Sequence, residues 1–213
     1  MLPAASGPVL ALLCGLLPQF WPAHPMPSAM PAQVEQETCD PRASQKWKCF
    51  NPKAELKTSR EYGFGLGQLT VTPAFNNFNV VTRQYPALRN WQWAQRYQPR
   101  EQLIALLSMD RTAYSACANL MGTPYDSLAC TFASYNGGLG GFRSDRRVCA
   151  NTAGCNPRIW FGNVEHTSAK AKVPASGYGQ SFFQINRAYV RNVLVVRRGK
   201  YVEPMTCAKG VEQ

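Results

Sequence analysis

The spacing of the cysteines constrains this 213-residue chain more than any other feature of its sequence. One of the eight cysteines, Cys14, lies in an apolar N-terminal stretch. Three pairs among the others are close in the chain: Cys39/Cys49, Cys117/Cys130 and Cys149/Cys155. Because close pairs in an exported chain typically form local disulfides, we expect a fold stapled at three places.

Cys207 has no close neighbour among the cysteines. It is either an odd thiol, or it pairs with an upstream cysteine and displaces one of the three local pairs. A zinc site is not expected, since the chain has no C-x-x-C pair and only two histidines, His24 and His166. No other cofactor is expected either.

The N-terminal residues 8–21, PVLALLCGLLPQFW, are apolar and carry no charged side chain. The stretch is too short to span a membrane and is typical of a signal-peptide core or a weak, releasable membrane anchor. The prolines of residues 22–31 favour a linker over a buried helix. We therefore predict a leader and linker over 1–38, one folded domain over 39–207 and a tail over 208–213. The protein is expected to be exported, either periplasmic or secreted.

The chain has a formal net charge of +11, from 23 lysines and arginines against 12 acidic residues. This balance favours an anionic partner, which could be a nucleic acid, a membrane surface or a bacterial envelope. The arginine-rich residues 143–147 and 197–200 are typical of solvated faces, and no nucleic-acid-binding module is recognisable. We expect an anionic envelope surface as the partner and no nucleic acid.

Beyond residue 38 the hydrophobic periodicity is mainly helical. The second predicted helix has a clear start, where Thr123 can cap the chain before Pro124. Only residues 68–81 alternate as strands do, which allows at most a short β-hairpin. The predicted fold is mainly α and disulfide-stapled. Its helices are expected over residues 99–121, 123–137, 156–164 and 181–200.

Two glutamates are candidates for glycosidic chemistry, which needs a carboxylic acid held partly out of water so that its raised pKa keeps a proton available. We favour Glu55, because the sequence places it at the end of a predicted helix containing Trp47 and Phe50 and shortly before a glycine-rich turn. Glu61 competes, but it lies in a polar turn that solvent reaches. On composition alone, Glu55 is more typical of a surface helix glutamate paired with a nearby lysine.

Three short motifs, in this order, resemble the soluble lytic transglycosylases and goose-type lysozymes. YGFGLGQ at residues 62–68 is similar to the goose-type GFGLMQ, with Gly67 in place of the methionine. ASYNGG at residues 133–138 is similar to the SAYNAG element, and YVRNV at residues 189–193 is similar to the family's C-terminal Y-V-x-x-V helix. The resemblance extends over residues 47–201 and implies a lysozyme-like helical domain.

The resemblance also implies an activity: cleavage of the β-1,4 bond between N-acetylmuramic acid and N-acetylglucosamine in peptidoglycan. Glu55 would be the general acid and base. The family usually has a longer segment between its glutamate and the glycine turn, so this assignment implies a shortened loop after Glu55. The implied substrate-binding residues are Gly65, Gln68, Tyr135, Asn136 and Tyr189.

A single carboxylate is enough for a lytic transglycosylase, because the substrate's own C6 hydroxyl can attack and leave a 1,6-anhydro end. A hydrolase, or muramidase, normally needs a second carboxylate. Asp145 is the tempting candidate, but Arg146 and Arg147 beside it favour an ion pair. We therefore predict a lytic transglycosylase, with a muramidase on the same fold as the alternative.

A non-catalytic, cationic module that binds envelope glycan is the alternative from a different class. The position of Glu55 distinguishes the two hypotheses. A place in a groove beside Gln68 and Tyr135 favours the enzyme, and exposure to solvent favours the binding module. Trp91 and Trp93 could stack on sugar rings in either case, although such a cluster is more typical of core packing.

Overall fold

The structure is a computed structural model that describes residues 1–39, 49–58, 61–170, 172–174 and 179–208. Over these residues the chain is mainly helical and carries four disulfides, which confirms the predicted mainly α, disulfide-stapled fold. The helices are α1 (Ser6–Phe20), α2 (Ala29–Thr38), α3 (Asn77–Gln84), α4 (Pro99–Ala118), α5 (Pro124–Gly137), α6 (Leu139–Ala150) and α7 (Phe182–Arg191). The strands are β1 (Glu55–Lys57), β2 (Tyr62–Phe64) and β3 (Leu69–Val71). Short 3₁₀ turns cover Pro86–Leu88, Trp93–Gln95, Val164–His166, Arg198–Tyr201 and Thr206–Ala208, and a π turn covers Asn192–Arg197.

The chain forms two compact units. The first consists of Met1–Met109 with Arg197–Gln213, and the second consists of Asp110–Val196. The predicted division into a leader, a single domain and a tail remains a prediction.

Helices α1 and α2 contribute to the core of the first unit. Leu13 and Leu17 of α1 and Met30 and Val34 of α2 are all fully buried. Helix α1 contacts the turn Thr206–Ala208, and α2 contacts the turn Arg198–Tyr201. The end of the predicted linker therefore begins a helix instead. Pro31 is compatible with it, because a proline in the first turn removes only an N–H that has no helical partner.

Glu35 joins α2 to the C-terminal segment of the same unit. Its Oε1 accepts hydrogen bonds from Lys200 Nζ at 2.6 Å and Arg197 Nη1 at 3.2 Å, and its Oε2 accepts one from the Tyr201 hydroxyl at 2.7 Å. Burial, together with this bond to Glu35, raises the pKa of Tyr201. A buried carboxylate is tolerated here because both of its oxygens are bonded to donors.

The three strands form an antiparallel sheet in the order β1-β2-β3, one strand more than a hairpin. Cross-strand partners share a face of a sheet, as do alternate residues of one strand. One face carries Glu55, Lys57, Tyr62, Phe64, Leu69 and Val71, and the other carries Leu56, Gly63 and Thr70. Phe64 and Leu69 on the first face are buried in the core, whereas Leu56 on the second face is 51% exposed.

Helix α5 is the centre of the second unit and packs against α6 and α7. It begins as predicted: Thr123 Oγ1 accepts a hydrogen bond from Asp126 N at 3.1 Å, and Pro124 is the first helical residue. It ends at Gly138, whose φ of +75° lies in the left-handed region that favours glycine. Helix α6 starts directly afterwards, although the glycine-rich sequence did not predict a helix there.

The three local disulfides are confirmed. The prediction for Cys207 needs a correction, because Cys207 pairs with Cys14 and is not an odd thiol. Four disulfides are typical of an extracellular or otherwise oxidising compartment. Within the described part of the chain, no helix has the length and apolar character needed to cross a membrane.

Two predicted elements are wrong. Residues 156–164 do not form a helix, because Asn156 Oδ1 accepts a hydrogen bond from Arg158 N at 2.9 Å and closes a turn. Phe78 and Val80 lie in helix α3 rather than a strand, and Asn76 Oδ1 caps that helix by accepting from Asn79 N at 3.0 Å. The last predicted helix is α-helical only to Arg191 and continues as the π turn.

Candidate functional site

The six predicted site residues are divided between the two units. Glu55, Gly65 and Gln68 belong to the first unit, and Tyr135, Asn136 and Tyr189 belong to the second. Each group has its own local geometry.

The glycine turn of the first unit is held by Gln102 on α4. Gly65 has a φ of +77°, and a Cβ atom there would lie 2.5 Å from the Gln102 side-chain amide, so this position accepts only glycine. Gln102 Oε1 accepts a hydrogen bond from Leu66 N at 2.9 Å. Its Nε2 donates to the carbonyl oxygens of Pro52 and Arg96, each at 2.8 Å. The sequence did not single out Gln102, since no local pattern marks a contact over such a distance in the chain.

Gln68 closes the same turn. It has a φ of +45°, and its Nε2 donates to the carbonyl oxygens of Gly65 at 2.8 Å and Ala54 at 3.2 Å. Its Oε1 is buried, yet it accepts no hydrogen bond from any residue that the structure describes. A Cβ atom on Gly63 would lie 3.0 Å from this oxygen. Gln68 thus fixes the turn by its amide nitrogen and keeps one acceptor unsatisfied.

Glu55 is on strand β1 and exposed to solvent, not at the end of a helix. Trp47, which would belong to that predicted helix, lies outside the described residues. Both Tyr62 and Tyr97 donate their hydroxyl hydrogens to Glu55 Oε1. The bond from Tyr62 and then the bond from Tyr97 lower the pKa of Glu55 below its ordinary value, and the charge of Arg96 acts in the same direction. The expected raised pKa is therefore wrong, and Glu55 is ionised near neutral pH.

Glu55 and Gln68 do not share a face of the sheet. The Glu55 side chain lies on the face of Tyr62, to which it is hydrogen-bonded. The Gln68 amide lies against Gly63, where a side chain would point to the opposite face. Within the first unit, Glu55 therefore does not lie beside Gln68, the position that would favour the enzyme over the binding module.

Glu61 closes the turn between β1 and β2. Its backbone N donates to Thr58 Oγ1 at 3.1 Å, and its carbonyl oxygen accepts from Thr58 N at 2.9 Å. An open groove of about 370 Å³ lies beside this turn. Its lining consists of Lys57, Thr58, Glu61, Tyr62, Val71, Thr72 and Pro73.

Glu37 is a carboxylate that the sequence interpretation missed. It lies in the last turn of α2 and is half-buried. The next residue, Thr38, accepts a hydrogen bond from Phe50 N through Oγ1 at 2.9 Å. Glu37 is not among the sequence-based candidates, because the sequence predicts a leader and linker over residues 1–38. The longer spacing usual in the resembled family points upstream of Glu55, to residues 47–50, which contain no carboxylate.

In the second unit, Tyr135 and Tyr189 lie with their rings stacked and their centroids 6.4 Å apart. Asn186 on α7 donates from Nδ2 to Asn136 Oδ1 at 3.1 Å and to the Ala133 carbonyl oxygen at 2.9 Å. The two motif-bearing blocks, on α5 and α7, therefore contact each other. Asn186 is a further residue that the sequence did not single out.

Asp145 is ion-paired, although not with the neighbouring arginines. Its Oδ2 accepts from Lys170 Nζ and from Arg187 Nη1, the latter at 2.8 Å. Burial alone would raise the pKa of Asp145, but Lys170 and Arg187 together lower it below its ordinary value. Because the residue is only 1% exposed and its carboxylate is bonded on both oxygens, it is a structural anchor of the second unit.

Among the described residues, no group of three or more His, Cys, Asp or Glu side chains could hold a metal ion. No protein-family model, curated protein or solved structure matches the chain.

Proposed function

We propose that the protein is a lytic transglycosylase that cleaves the β-1,4 bond between N-acetylmuramic acid and N-acetylglucosamine in peptidoglycan. The observation that carries the proposal is the connection between a half-buried carboxylate, Glu37, and the glycine turn of the resembled family.

This connection uses one short segment of the first unit. At its start, Phe50 N donates to the side chain of Thr38, next to Glu37. At its end, the Ala54 carbonyl oxygen accepts hydrogen bonds from Gly65 N at 2.8 Å and Gln68 Nε2 at 3.2 Å. The Cα atoms of residues 50 and 54 can be at most about 15 Å apart. The end of α2 and the glycine turn are thus joined through a single five-residue segment.

We assign proton donation to Glu37 in place of Glu55. A general acid must keep its proton near neutral pH. The environment of Glu55 is unsuited to this, since two tyrosine hydroxyls and a nearby guanidinium favour its ionised form.

In the proposed reaction, Glu37 donates its proton to the glycosidic oxygen as the C1–O bond breaks. The C6 hydroxyl of the same muramic acid residue then attacks C1. Its proton passes to the Glu37 carboxylate, so the acid is restored and a 1,6-anhydro end is left. No water is consumed, which distinguishes the reaction from hydrolysis.

Two alternatives have support from particular observations. The ionised state of Glu55 favours a muramidase, because a second carboxylate can position a water molecule. The exposure of Glu55 to solvent favours a non-catalytic glycan-binding module, because a catalytic carboxylate is expected to lie in a groove.

The proposed setting is the cell envelope. The net charge of +11 suits an anionic wall, and the disulfides suit a periplasmic or secreted protein. Export belongs to the same proposal, with residues 1–38 kept in the folded protein, since Cys14 pairs with Cys207 and Glu37 is assigned the proton donation.

The proposal is tested by the rate at which purified peptidoglycan is solubilised. We expect Glu37→Gln to lower the rate by roughly 10²- to 10⁴-fold, the usual contribution of a general acid. Glu203→Gln changes an exposed glutamate of the same unit and serves as the matched control. An active Glu37→Gln variant would overturn the assignment of Glu37, and an inactive wild-type protein would favour the binding module.

A further inference from the structure

We propose that the exposed indole of Trp93 and the polar cluster of Glu55, Tyr62, Tyr97 and Arg96 form a saccharide-binding subsite for one N-acetylhexosamine ring of a glycan chain. The choice of sugar rests on the proposed function, while the site itself rests on the geometry of the first unit.

Trp93 differs from the other tryptophans that the structure describes. It is 42% exposed, whereas Trp21, Trp91 and Trp160 are each 5% exposed or less. Trp91 also uses its indole N–H internally, since Nε1 donates to the Gln95 carbonyl oxygen at 3.0 Å. Trp91 is therefore a core residue, while Trp93 leaves a large part of its apolar surface in solvent.

The exposed indole is nevertheless held in place. Its ring meets those of Phe64 and Phe78 nearly at right angles, with centroid separations of 5.3 and 5.2 Å. The Arg96 guanidinium carbon lies 4.8 Å from the Trp93 ring centroid. A capping box between Gln92 and Gln95 fixes the backbone of this turn. An aromatic platform that is already ordered loses little side-chain entropy when a ligand stacks on it.

The polar cluster beside Trp93 offers both acceptors and donors. Tyr62, whose ring centroid is 6.3 Å from that of Trp93, and Tyr97 both bond to Glu55 Oε1. Glu55 Oε2 accepts no hydrogen bond from the described residues, and it belongs to an exposed side chain. Arg96 Nη2 donates to the Tyr97 hydroxyl at 2.8 Å, which keeps the guanidinium next to the carboxylate.

A pyranose ring matches this arrangement. Its apolar C–H face can stack on the indole, and its rim of hydroxyl groups can donate to Glu55 Oε2 and accept from Arg96. A nucleic acid base could also stack on Trp93, and Arg96 attracts phosphate, but a phosphate group has no donor for Glu55 Oε2 and is repelled by this carboxylate. A sugar hydroxyl can satisfy both side chains, so the cluster favours a neutral sugar over a nucleotide.

The test is an NMR titration of the full, oxidised chain with chitotetraose, a soluble oligomer of N-acetylglucosamine. We use the Glu37→Gln variant so that no glycan can be cleaved. We expect the indole N–H signal of Trp93 to shift, while that of Trp91 stays in place. Shifts confined to other indole signals, or shifts produced by oligothymidylate in place of chitotetraose, would overturn the proposal.

Two further variants measure the contribution of the platform. Trp93→Ala is expected to raise the Kd for chitotetraose about tenfold, which corresponds to about 1.4 kcal/mol. Leu56→Ala removes an exposed apolar side chain from the opposite face of the sheet and should leave the Kd unchanged. An equal Kd for Trp93→Ala and wild type, with circular dichroism showing both folded, would contradict the subsite.

The test of the Trp93 subsite and the test of the proposed enzymatic activity have independent outcomes. Binding at Trp93 without any solubilisation of peptidoglycan would retain the subsite and reject the enzyme. Solubilisation without an effect of Trp93→Ala on binding would retain the enzyme and reject the subsite.

Discussion

The side chains of Glu55 and Gln68 lie on opposite faces of the three-stranded sheet in the first unit. The carboxylate is therefore separated from the turn that the family resemblance links with catalysis. Glu55 instead shares its face with Tyr62, whose hydroxyl helps to keep it ionised. This arrangement is the reason for assigning a binding role to Glu55 and proton donation to Glu37.

The ionised state of Glu55 gives the first prediction. Removing both hydroxyls in Tyr62→Phe/Tyr97→Phe should raise the pKa of Glu55, because the two bonds that favour the carboxylate are lost. A ¹³C NMR titration of the side-chain carboxyl measures it. Tyr114→Phe, in the second unit, is the control and should leave the titration unchanged.

The lowered pKa of Glu55 also makes the stability of the fold depend on pH. A lowered pKa in the folded state means that the contribution of Glu55 to stability is present above its unfolded-state pKa. It is lost as the pH falls through the lower, folded-state value. A titration midpoint in the wild type at or above the ordinary glutamate value would contradict this account.

Gly65 provides the second prediction. Gly65→Ala should destabilise the fold by about 2–4 kcal/mol, because alanine is strained at positive φ and its Cβ would overlap the Gln102 amide. Gly140→Ala is the matched control, since Gly140 is in α6 and a Cβ there meets no atom within 4 Å. Urea unfolding should show a stable Gly140→Ala and an unstable Gly65→Ala. Equal stabilities would mean that the turn is not held as described.

His24 provides a prediction about pH. Burial lowers the pKa of His24 to about 3, and its Nδ1 accepts a hydrogen bond from Met26 N at 2.9 Å. Its stabilising contribution is therefore complete above the unfolded-state pKa and is lost as the pH falls towards about 3. His24→Asn keeps an acceptor but does not titrate.

The measurement compares the free energies of unfolding of the wild type and His24→Asn at two pH values. Between pH 7.5 and pH 5, about 2 kcal/mol of the wild-type stability should be lost through this one group and retained in the variant. An equal loss of unfolding free energy in the wild type and in His24→Asn would show that His24 is not buried as a neutral side chain.

The fourth prediction concerns the disulfide between Cys14 and Cys207. Cys14→Ser/Cys207→Ser should lower the free energy of unfolding by about 2–4 kcal/mol. Cys149→Ser/Cys155→Ser should cost less, because the loop closed there has a sequence separation of 6 rather than 193. Peptide mapping without reduction should recover a Cys14–Cys207 cross-link. A free Cys207 in the oxidised chain would show that α1 is not attached to the C-terminal segment.

Local sequence signals predicted part of this fold. The start of α5 was predictable because Thr123, Pro124 and Asp126 supply the whole capping arrangement within four residues. The three local disulfides were predictable for the same reason, since each closes a short loop. Helix α2 was missed because prolines before and inside its first turn are equally typical of a linker.

The chemistry of the candidate site depends on contacts that are distant in sequence. Tyr97, 42 positions from Glu55, helps to set the charge of that carboxylate. The partners of Asp145 are 25 and 42 positions away, so its neighbours Arg146 and Arg147 were misleading. A single sequence does not show which of many distant side chains will meet a given acid.

The most direct test of the account is mass spectrometry of the fragments that the oxidised protein releases from purified peptidoglycan, beside Glu37→Gln. We predict fragments ending in 1,6-anhydro-N-acetylmuramic acid from the wild type and none from Glu37→Gln. Reducing ends from the wild type, or 1,6-anhydro ends that persist in Glu37→Gln, would contradict it.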